Sequence, residues 1–258
     1  MKSFMDLTDK VALVTGASRG IGRATAIRFA EAGADVIVNY VTSKKPAEDV
    51  AEQIAALGRR CWIVKADVSE KEDVEMMFDF IKAQIGRLSI LVSNAATGGF
   101  RALLEAKRNN FDSAFHTNVM ALMYLVQSAM PLLEKEPQRA KVVTISSHGS
   151  IAGLPMYGLV GASKAALESL VRHFTLEIGD RNVNINVVRA GLVETDSSRR
   201  LPHAEEMFEN QINTTQVGRR VLQPEDVADA ILFLSSPMSD MIQGETITVD
   251  GGAAVRGA

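Results

Sequence analysis

The sequence predicts an α/β fold in which helices cover both faces of a parallel β-sheet. Short runs of β-branched residues alternate with longer helical patterns, as in a sheet with crossover helices. Most of these runs are apolar at successive positions, which is typical of strands buried on both faces. The chain has no repeat, low-complexity tract or flexible linker, so residues 1–258 are interpreted as a single domain. The runs are Val11–Val14, Val36–Val38, Trp62–Val64, Ile90–Val92, Val142–Ile145, Asn184–Val188 and Thr246–Val249.

The composition of the chain argues against nucleic acid and membranes as binding partners. The chain has 258 residues, 47% of them hydrophobic, and a formal net charge of -3. This charge offers no basic field for nucleic acid, and no stretch approaches the roughly 18 apolar residues of a membrane span. A small-molecule partner is therefore expected. Residues Met1–Asp6 lack the apolar core of a signal peptide, which favours a cytoplasmic location. Cys61 is the only cysteine and the four histidines form no metal pair, so we predict no disulfide and no metal site.

A glycine-rich stretch follows the first predicted strand. Gly16, Gly20 and Gly22 stand at the start of a helical pattern that ends near Gly33. Glycines permit a tight turn and a close approach of the backbone to a pyrophosphate, and a helix N-terminus adds free N–H groups and partial positive charge. The pattern therefore predicts dinucleotide binding on a Rossmann-type doubly wound parallel sheet.

Residues 15–22 match the Thr-Gly-x3-Gly-x-Gly signature of the short-chain dehydrogenase/reductases, and the chain resembles this family over essentially its whole length. Further matches are Asp67, Ser93–Ala96, Asn118, Ser147, Lys164 and Asp250–Gly252. The resemblance implies that Asp67 contacts adenine, that Asn94 forms the floor under the cofactor, and that Val193 and Thr195 lie near the carboxamide and phosphates. The implied cofactor-binding set is Gly16, Ser18, Arg19, Gly20, Ile21, Gly22, Asn39, Lys44, Asp67, Val68, Asn94, Lys164, Val193 and Thr195.

The end of the second predicted strand favours NADPH over NADH. NAD-specific proteins of this fold generally carry an acidic residue there, which binds the ribose 2′-hydroxyl. Asn39 takes that place, while Arg19, Lys44 and Lys45 are cations able to meet a 2′-phosphate. The alternative is that these cations are solvated surface charges without a ligand.

The expected catalytic residues depart from the family pattern at one position. Members usually carry Tyr-x3-Lys, but here Val160 stands four residues before Lys164 and Tyr157 stands seven before it. On a helix both spacings keep the two side chains on one face. The resemblance implies that Lys164 binds the nicotinamide ribose, that Ser147 positions substrate and that Asn118 joins a proton relay. Alternatively, Tyr157 is a structural residue at a helix start.

The Tyr-x6-Lys spacing resembles the NADPH-using enoyl-acyl-carrier-protein reductase III type. The implied reaction is reduction of the 2,3 double bond of an acyl thioester, carried by acyl carrier protein in fatty-acid synthesis. Tyr157 would stabilise the enolate oxygen by hydrogen bonding. Two alternatives stay open: a carbonyl reductase acting on a 3-oxoacyl thioester or another ketone, and a non-catalytic dinucleotide-binding regulator.

The stretch at about 191–218 is predicted to be an irregular insertion that holds substrate, because ligands bind beyond the carboxyl ends of strands in open α/β sheets. Met207 and Phe208 are the candidates for lining a substrate tail.

An apolar stripe predicts self-association. It consists of Leu167, Leu170, Val171 and Phe174 on the helix that bears Lys164. Together with the resemblance of the C-terminal strand to an association edge, it favours a homotetramer or a dimer.

Overall fold

The computed structural model describes residues 5–201 and 203–256, which form a seven-stranded parallel sheet in the order β3-β2-β1-β4-β5-β6-β7. Each predicted strand is present. Residues 1–4 of the N-terminal segment, and Pro202 of the predicted insertion, lie outside the described residues. The strands are β1 (Val11–Val14), β2 (Asp35–Tyr40), β3 (Cys61–Lys65), β4 (Ile90–Ser93), β5 (Ala140–Ser147), β6 (Val183–Ala190) and β7 (Thr246–Val249).

Eight α-helices occur among the same residues. A π-helical turn, His116–Met120, joins the fourth to the fifth. No helix of the described chain is long and apolar enough to cross a membrane. The helices are α1 (Gly20–Glu31), α2 (Lys44–Ala56), α3 (Lys71–Gln84), α4 (Arg108–Phe115), α5 (Ala121–Leu133), α6 (Gly158–Ile178), α7 (Ala204–Thr214) and α8 (Pro224–Ser235).

Two hydrophobic cores cover the two faces of the sheet. Helices α3, α5 and α6 pack on one face, and α1, α2 and α8 pack on the other. Successive side chains of a strand point to opposite faces, so Leu13 enters the first core and Val14 the second. This double burial explains why most of the predicted strands are apolar at successive positions, and it confirms the doubly wound fold.

The segment 191–218 is more regular than the sequence indicated. It contains a 3-10 turn at Ser198–Arg200 followed by helix α7. Its far end is tied to the C-terminal turn, where the Gln216 N–H donates to the Gly251 carbonyl at 2.8 Å. The stretch is therefore a helical excursion beyond the carboxyl end of β6, which corrects the prediction of an irregular loop.

Candidate active site

The glycine loop joins β1 to α1 in a conformation suited to a pyrophosphate. Gly16 and Gly20 have φ angles of 61° and 56°, in the left-handed region that favours glycine. A Cβ atom on Gly22 would lie 2.5 Å from both Asn94 Nδ2 and the Gly16 carbonyl oxygen, so a side chain there would push the loop away from its floor. The three glycines thus keep the loop close to the sheet.

The N-terminus of α1 presents backbone donors toward the cleft. Its N-cap residue Arg19 is exposed and makes no side-chain capping bond, and the first turn holds no acidic residue. Ser18 is half-buried, and Ile21 packs on the core below. The free N–H groups and the positive end of the helix dipole therefore fit the phosphates of a dinucleotide.

Thr195 lies across the mouth of this loop. Its Cγ2 is 3.4 Å from the position of a Cβ on Gly20. The Thr195 N–H donates to Ser198 Oγ at 2.9 Å, and buried Val193 bridges to Leu222. The segment after β6 and the glycine loop therefore form the two walls of the nucleotide cleft.

Asn94 holds the floor under the loop. Its Nδ2 donates to the carbonyls of Thr15 and Gly16 at 2.8 and 3.2 Å. The backbone N–H groups of Asn94 and Ala95 donate to Thr15 Oγ1 at 2.9 and 3.0 Å. These bonds tie the end of β4 to the start of the loop.

Asn39 supports the loop instead of facing a ribose, which corrects its predicted role. Its side chain is buried: Oδ1 accepts from the Gly16 N–H at 3.2 Å and Nδ2 donates to the Ala66 carbonyl at 3.0 Å. Strand β2 continues to Tyr40, so Tyr40 is the residue at the carboxyl end. Tyr40 is also uncharged, and the end of β2 therefore still lacks the acid of an NAD-specific site.

Cations stand beside this end of β2. Lys44 is the first residue of α2, with a side chain 66% exposed and its Nζ 3.0 Å from Glu48. The hydrogen bond to Glu48 raises the pKa of Lys44. Lys45 pairs in the same way with Asp49 at 2.8 Å. These lysines and Arg19 are exposed, so a phosphate at this edge would compete with Glu48 and Asp49 for the two lysines.

Asp67 and Val68 follow β3 at the same edge. Asp67 Oδ1 accepts from the N–H and the hydroxyl of Ser69 at 2.9 and 2.6 Å, while Val68 is buried in the core. The carboxylate is half-buried at this edge, and its contact with adenine stays a prediction.

Tyr157 and Ser147 are in direct contact. The Tyr157 hydroxyl donates to Ser147 Oγ at 3.0 Å. Ser147 ends β5, whereas Tyr157 is the N-cap of α6 and precedes its first turn. The prediction that Tyr157 and Lys164 lie on one face of the same helix is therefore wrong, because Tyr157 lies just before the helix begins. The preceding Met156 has a left-handed φ of 61°, and its carbonyl accepts from the Arg101 N–H at 2.7 Å, which fixes the turn that aims the tyrosine.

The ring of Tyr157 is held on both sides. It stacks on Phe100 with centroids 5.7 Å apart, and a Cβ on Gly149 would lie 2.5 Å from its Cδ1 and Cε1. Burial raises the Tyr157 pKa above its ordinary value of 10.0, and the bond to Ser147 opposes the shift. The phenol is therefore protonated near neutral pH and available as a donor.

Lys164 is buried on α6 beneath the end of β5. Its Nζ donates to the Ile145 carbonyl at 2.7 Å, and burial lowers its pKa to about 8. Val160, four residues before Lys164 where the Tyr-x3-Lys pattern has its tyrosine, is 4% exposed. The usual position thus offers no hydroxyl.

Asn118 lies in the π-helical turn between α4 and α5 and is buried. Its Oδ1 accepts from the Thr97 N–H at 3.1 Å, and its Nδ2 donates to Ser163 Oγ at 2.9 Å. Because Ser163 precedes Lys164 on α6, Asn118 connects the loop after β4 to the helix that carries Lys164. π-helical turns such as this one often occur at functional sites.

A cleft of about 520 Å³ opens beside Tyr157. Its apolar walls include Leu103, Leu154 and Met156. Met207 and Phe208 lie on α7 and do not line this cleft; Phe208 instead lies under the Arg199 guanidinium, 5.9 Å from its ring centroid. Their role in lining a substrate tail stays a prediction. Sequence reasoning missed Phe100 and the cleft walls, since they lie in segments without periodicity.

A nucleotide cleft on this sheet, with a tyrosine donor at its edge, defines an oxidoreductase that uses NAD(H) or NADP(H). The family model described as enoyl-(acyl carrier protein) reductase matches residues 16–254. The chain therefore belongs to the short-chain dehydrogenase/reductase family, as the sequence motifs predicted.

Three known proteins show the range of this similarity. The 1-cyclohexenylcarbonyl-CoA reductase of Streptomyces collinus is 33% identical over 247 residues, covering 95% of this chain and 87% of the relative. A 7α-hydroxysteroid dehydrogenase, solved with NADH and 7-oxo glycochenodeoxycholic acid, has a TM-score of 0.90 and 31% identity, covering 96% of this chain and 95% of that one. A short-chain dehydrogenase from Burkholderia cenocepacia, solved with NADP, has a TM-score of 0.87 and 32% identity, covering 96% and 98%.

Proposed function

We propose that this enzyme reduces the 2,3 double bond of an enoyl thioester with NADPH. The observation that carries the proposal is the Tyr157 hydroxyl, 3.0 Å from Ser147 Oγ, at a sequence position different from the usual tyrosine. Val160 leaves the usual position without a donor. NADPH, when bound, supplies a hydride for the β-carbon.

The protein must then stabilise the charge that collects on the thioester oxygen. Tyr157 is a neutral phenol, so it donates a hydrogen bond to that enolate oxygen with little proton transfer. Ser147 orients the phenol, and the Lys164 ammonium adds positive charge nearby. The apolar walls formed by Leu103, Leu154 and Met156 suit an acyl chain.

NADPH is preferred over NADH in this proposal. Tyr40 at the end of β2 carries no charge that would repel a 2′-phosphate, and Arg19 and Lys44 stand within the same edge of the sheet. Guanidinium and ammonium groups bind phosphate by charge-assisted hydrogen bonds.

The relatives support a thioester substrate. The Streptomyces enzyme is named for a coenzyme A thioester, and the family model is named for acyl carrier protein. We favour acyl carrier protein as the carrier here, which would place the enzyme in fatty-acid synthesis in the cytoplasm, working as a homotetramer or dimer.

A carbonyl reductase is the second candidate. The steroid dehydrogenase with a bound 7-oxo compound shares the whole fold, and a phenol beside a serine hydroxyl can also donate to a ketone oxygen. This reaction requires full protonation of an alkoxide by Tyr157, whereas an enolate needs only a hydrogen bond.

The test is NADPH oxidation with crotonyl and acetoacetyl thioesters, each carried by coenzyme A and by acyl carrier protein. We expect turnover with the crotonyl thioester and little with the acetoacetyl one. Turnover with acetoacetyl alone would establish the second candidate, and inactivity with both would contradict reduction of thioesters.

A further inference from the structure

An ion pair between helix α6 and strand β6 contacts two serines that stand close to Ser147 in the chain. Glu168 on α6 and Arg189 on β6 have side chains only 7% and 14% exposed, with Arg189 Nη2 2.6 Å from Glu168 Oε2. Arg189 Nε also donates to Glu168 Oε1 at 3.1 Å, so the pair is bidentate. Arg189 Nη1 extends to Thr248 Oγ1 on β7 at 3.3 Å.

Two serines on either side of Ser147 converge on this carboxylate. Ser146 Oγ donates to Glu168 Oε1 at 2.5 Å, and Ser150 Oγ lies 2.6 Å from the same oxygen. The Ser150 hydroxyl is also 2.8 Å from the Ser147 carbonyl, so its single proton is shared between the two acceptors. One carboxylate oxygen therefore reaches the backbone of Ser147 through one hydroxyl group.

The geometry of a strand makes this contact directional. Ser146 and Ser147 are neighbours on β5, so their side chains point to opposite faces. With Ser146 Oγ bonded to Glu168, the end of β5 that carries Ser147 is restrained, and Tyr157 donates to Ser147 Oγ. A rotation of this strand end would move both groups together.

Lys164 also binds the carboxyl end of β5. Lys164 and Glu168 are four residues apart on α6 and therefore share a helix face. Lys164 Nζ donates to the Ile145 carbonyl, and Glu168 accepts from Ser146. Two side chains one helical turn apart therefore bind two adjacent residues of β5.

The charge of Glu168 is retained in this buried place. Burial acts to raise its pKa, but the hydrogen bonds from Arg189, Ser146 and Ser150 and the positive charge of Arg189 hold the pKa below its ordinary value of 4.5. The carboxylate is therefore an acceptor for all its partners at the pH of the reaction.

We propose that Glu168, fixed by Arg189, is a positioning residue that sets the Ser147–Tyr157 donor through Ser146 and Ser150. It acts on the geometry of the donor and contacts no substrate. Because it concerns the donor pair itself, the proposal holds for reduction of either an enoyl or a keto thioester.

The chain offers a matched control for this proposal. The Glu136 side chain is 4% exposed, against 7% for Glu168, and it likewise accepts from a serine and an arginine, Ser89 at 2.8 Å and Arg87 at 3.3 Å. It lies at the opposite, amino-terminal edge of the sheet, beside the start of β4. Glu136→Gln therefore removes an equivalent buried charge far from Tyr157.

The experiment compares Glu168→Gln with Glu136→Gln on whichever thioester the wild type turns over. We expect kcat to fall about tenfold or more in Glu168→Gln, since small misplacements of a donor have large effects on rate. The thioester KM and the NADPH Kd should stay close to the wild-type values, because the residue touches neither ligand. Glu136→Gln should keep wild-type kcat even if its Tm falls as far.

Two further variants decide the question if Glu168→Gln does not fold. Ser150→Ala removes the link to the Ser147 carbonyl and leaves the ion pair, and should lower kcat with little change in Tm. Arg189→Lys keeps the charge but loses the bidentate geometry, and should give an intermediate kcat. Wild-type kcat in Ser150→Ala, or losses in Glu168→Gln that only match those in Glu136→Gln, would overturn the proposal. Since every variant is compared on one working substrate, its failure is distinct from failure of the enoyl assignment.

Discussion

Replacing Tyr157 by phenylalanine removes the proposed donor and almost nothing else. The aromatic ring, its stacking on Phe100 at 5.7 Å and its contact with Gly149 all remain. Loss of one donor to a developing oxyanion typically costs about 2.7–4 kcal/mol, or about 10²–10³ in kcat. Ser147 Oγ, freed from the tyrosine, can donate in its place, so we expect a loss of at least about tenfold and up to about 10³.

The cost to stability should be small. One partly buried neutral hydrogen bond, between the hydroxyls of Tyr157 and Ser147, is lost, which is worth about 0.5–1.5 kcal/mol. In a chain of this length, about 1 kcal/mol corresponds to roughly 2–4 °C in Tm. NADPH affinity should be unchanged, because the nucleotide cleft is untouched.

The assay is steady-state kcat beside an NADPH titration and a thermal melt. Tyr124→Phe is the control, because Tyr124 is a half-buried tyrosine on α5 that packs on the core. It should keep full turnover. Wild-type kcat in Tyr157→Phe would refute the assignment of the donor, whatever the substrate.

Further outcomes follow from the cofactor edge, the buried lysine and the surface of α6. Arg19→Ala should erode the preference for NADPH over NADH by about 1–3 kcal/mol, the usual strength of a charge-assisted contact, whereas equal use of both nucleotides by the wild type would contradict the NADPH proposal. Because burial lowers the pKa of Lys164 to about 8, its ammonium is present below that pH and lost above it, so kcat/KM should fall as pH rises through about 8. Tyr157, with a pKa raised above 10.0, does not titrate in that range, and a flat profile from pH 7 to about 9.5 would exclude a role for the charged lysine. Leu170 and Phe174 are half-buried on α6, so light scattering should show a tetramer or dimer that Phe174→Glu weakens; a fully active monomer at micromolar concentration would remove the proposal.

The arrangement of strands could be predicted because burial on both faces leaves a direct mark on the sequence. Runs such as Val11–Val14 contain no polar residue. The glycines after that strand predict a loop whose backbone approaches a ligand closely. Ser147 could also be placed, since a polar residue that ends a buried strand must emerge at the carboxyl edge.

Side-chain direction at the ends of elements could not be predicted in the same way. In a strand buried on both faces, apolarity does not show where the strand ends, and β2 continues to Tyr40, two residues past the predicted end at Val38. Tyr157 precedes α6 because Met156 takes a left-handed conformation, which no periodicity reveals.

Long-range pairs were equally hidden. Glu168 and Arg189 stand 21 residues apart, and their contact depends on the packing of α6 against β6. In the sequence, each of the two looks like an ordinary charged residue of a helix or a strand, and neither indicates its partner. The position of Phe100 against Tyr157 depends on a loop without regular structure.

The most direct test of the proposed reaction is the position of isotope in the product. Enzyme, NADPH carrying deuterium on the transferred position, and an equal mixture of crotonyl and acetoacetyl thioesters would be combined, and the products analysed by mass spectrometry. We expect a saturated butyryl thioester with deuterium at C3 and little hydroxybutyryl product. Deuterium at the carbinol carbon of a hydroxybutyryl thioester, with the crotonyl thioester recovered unchanged, would contradict enoyl reduction and identify a carbonyl reductase.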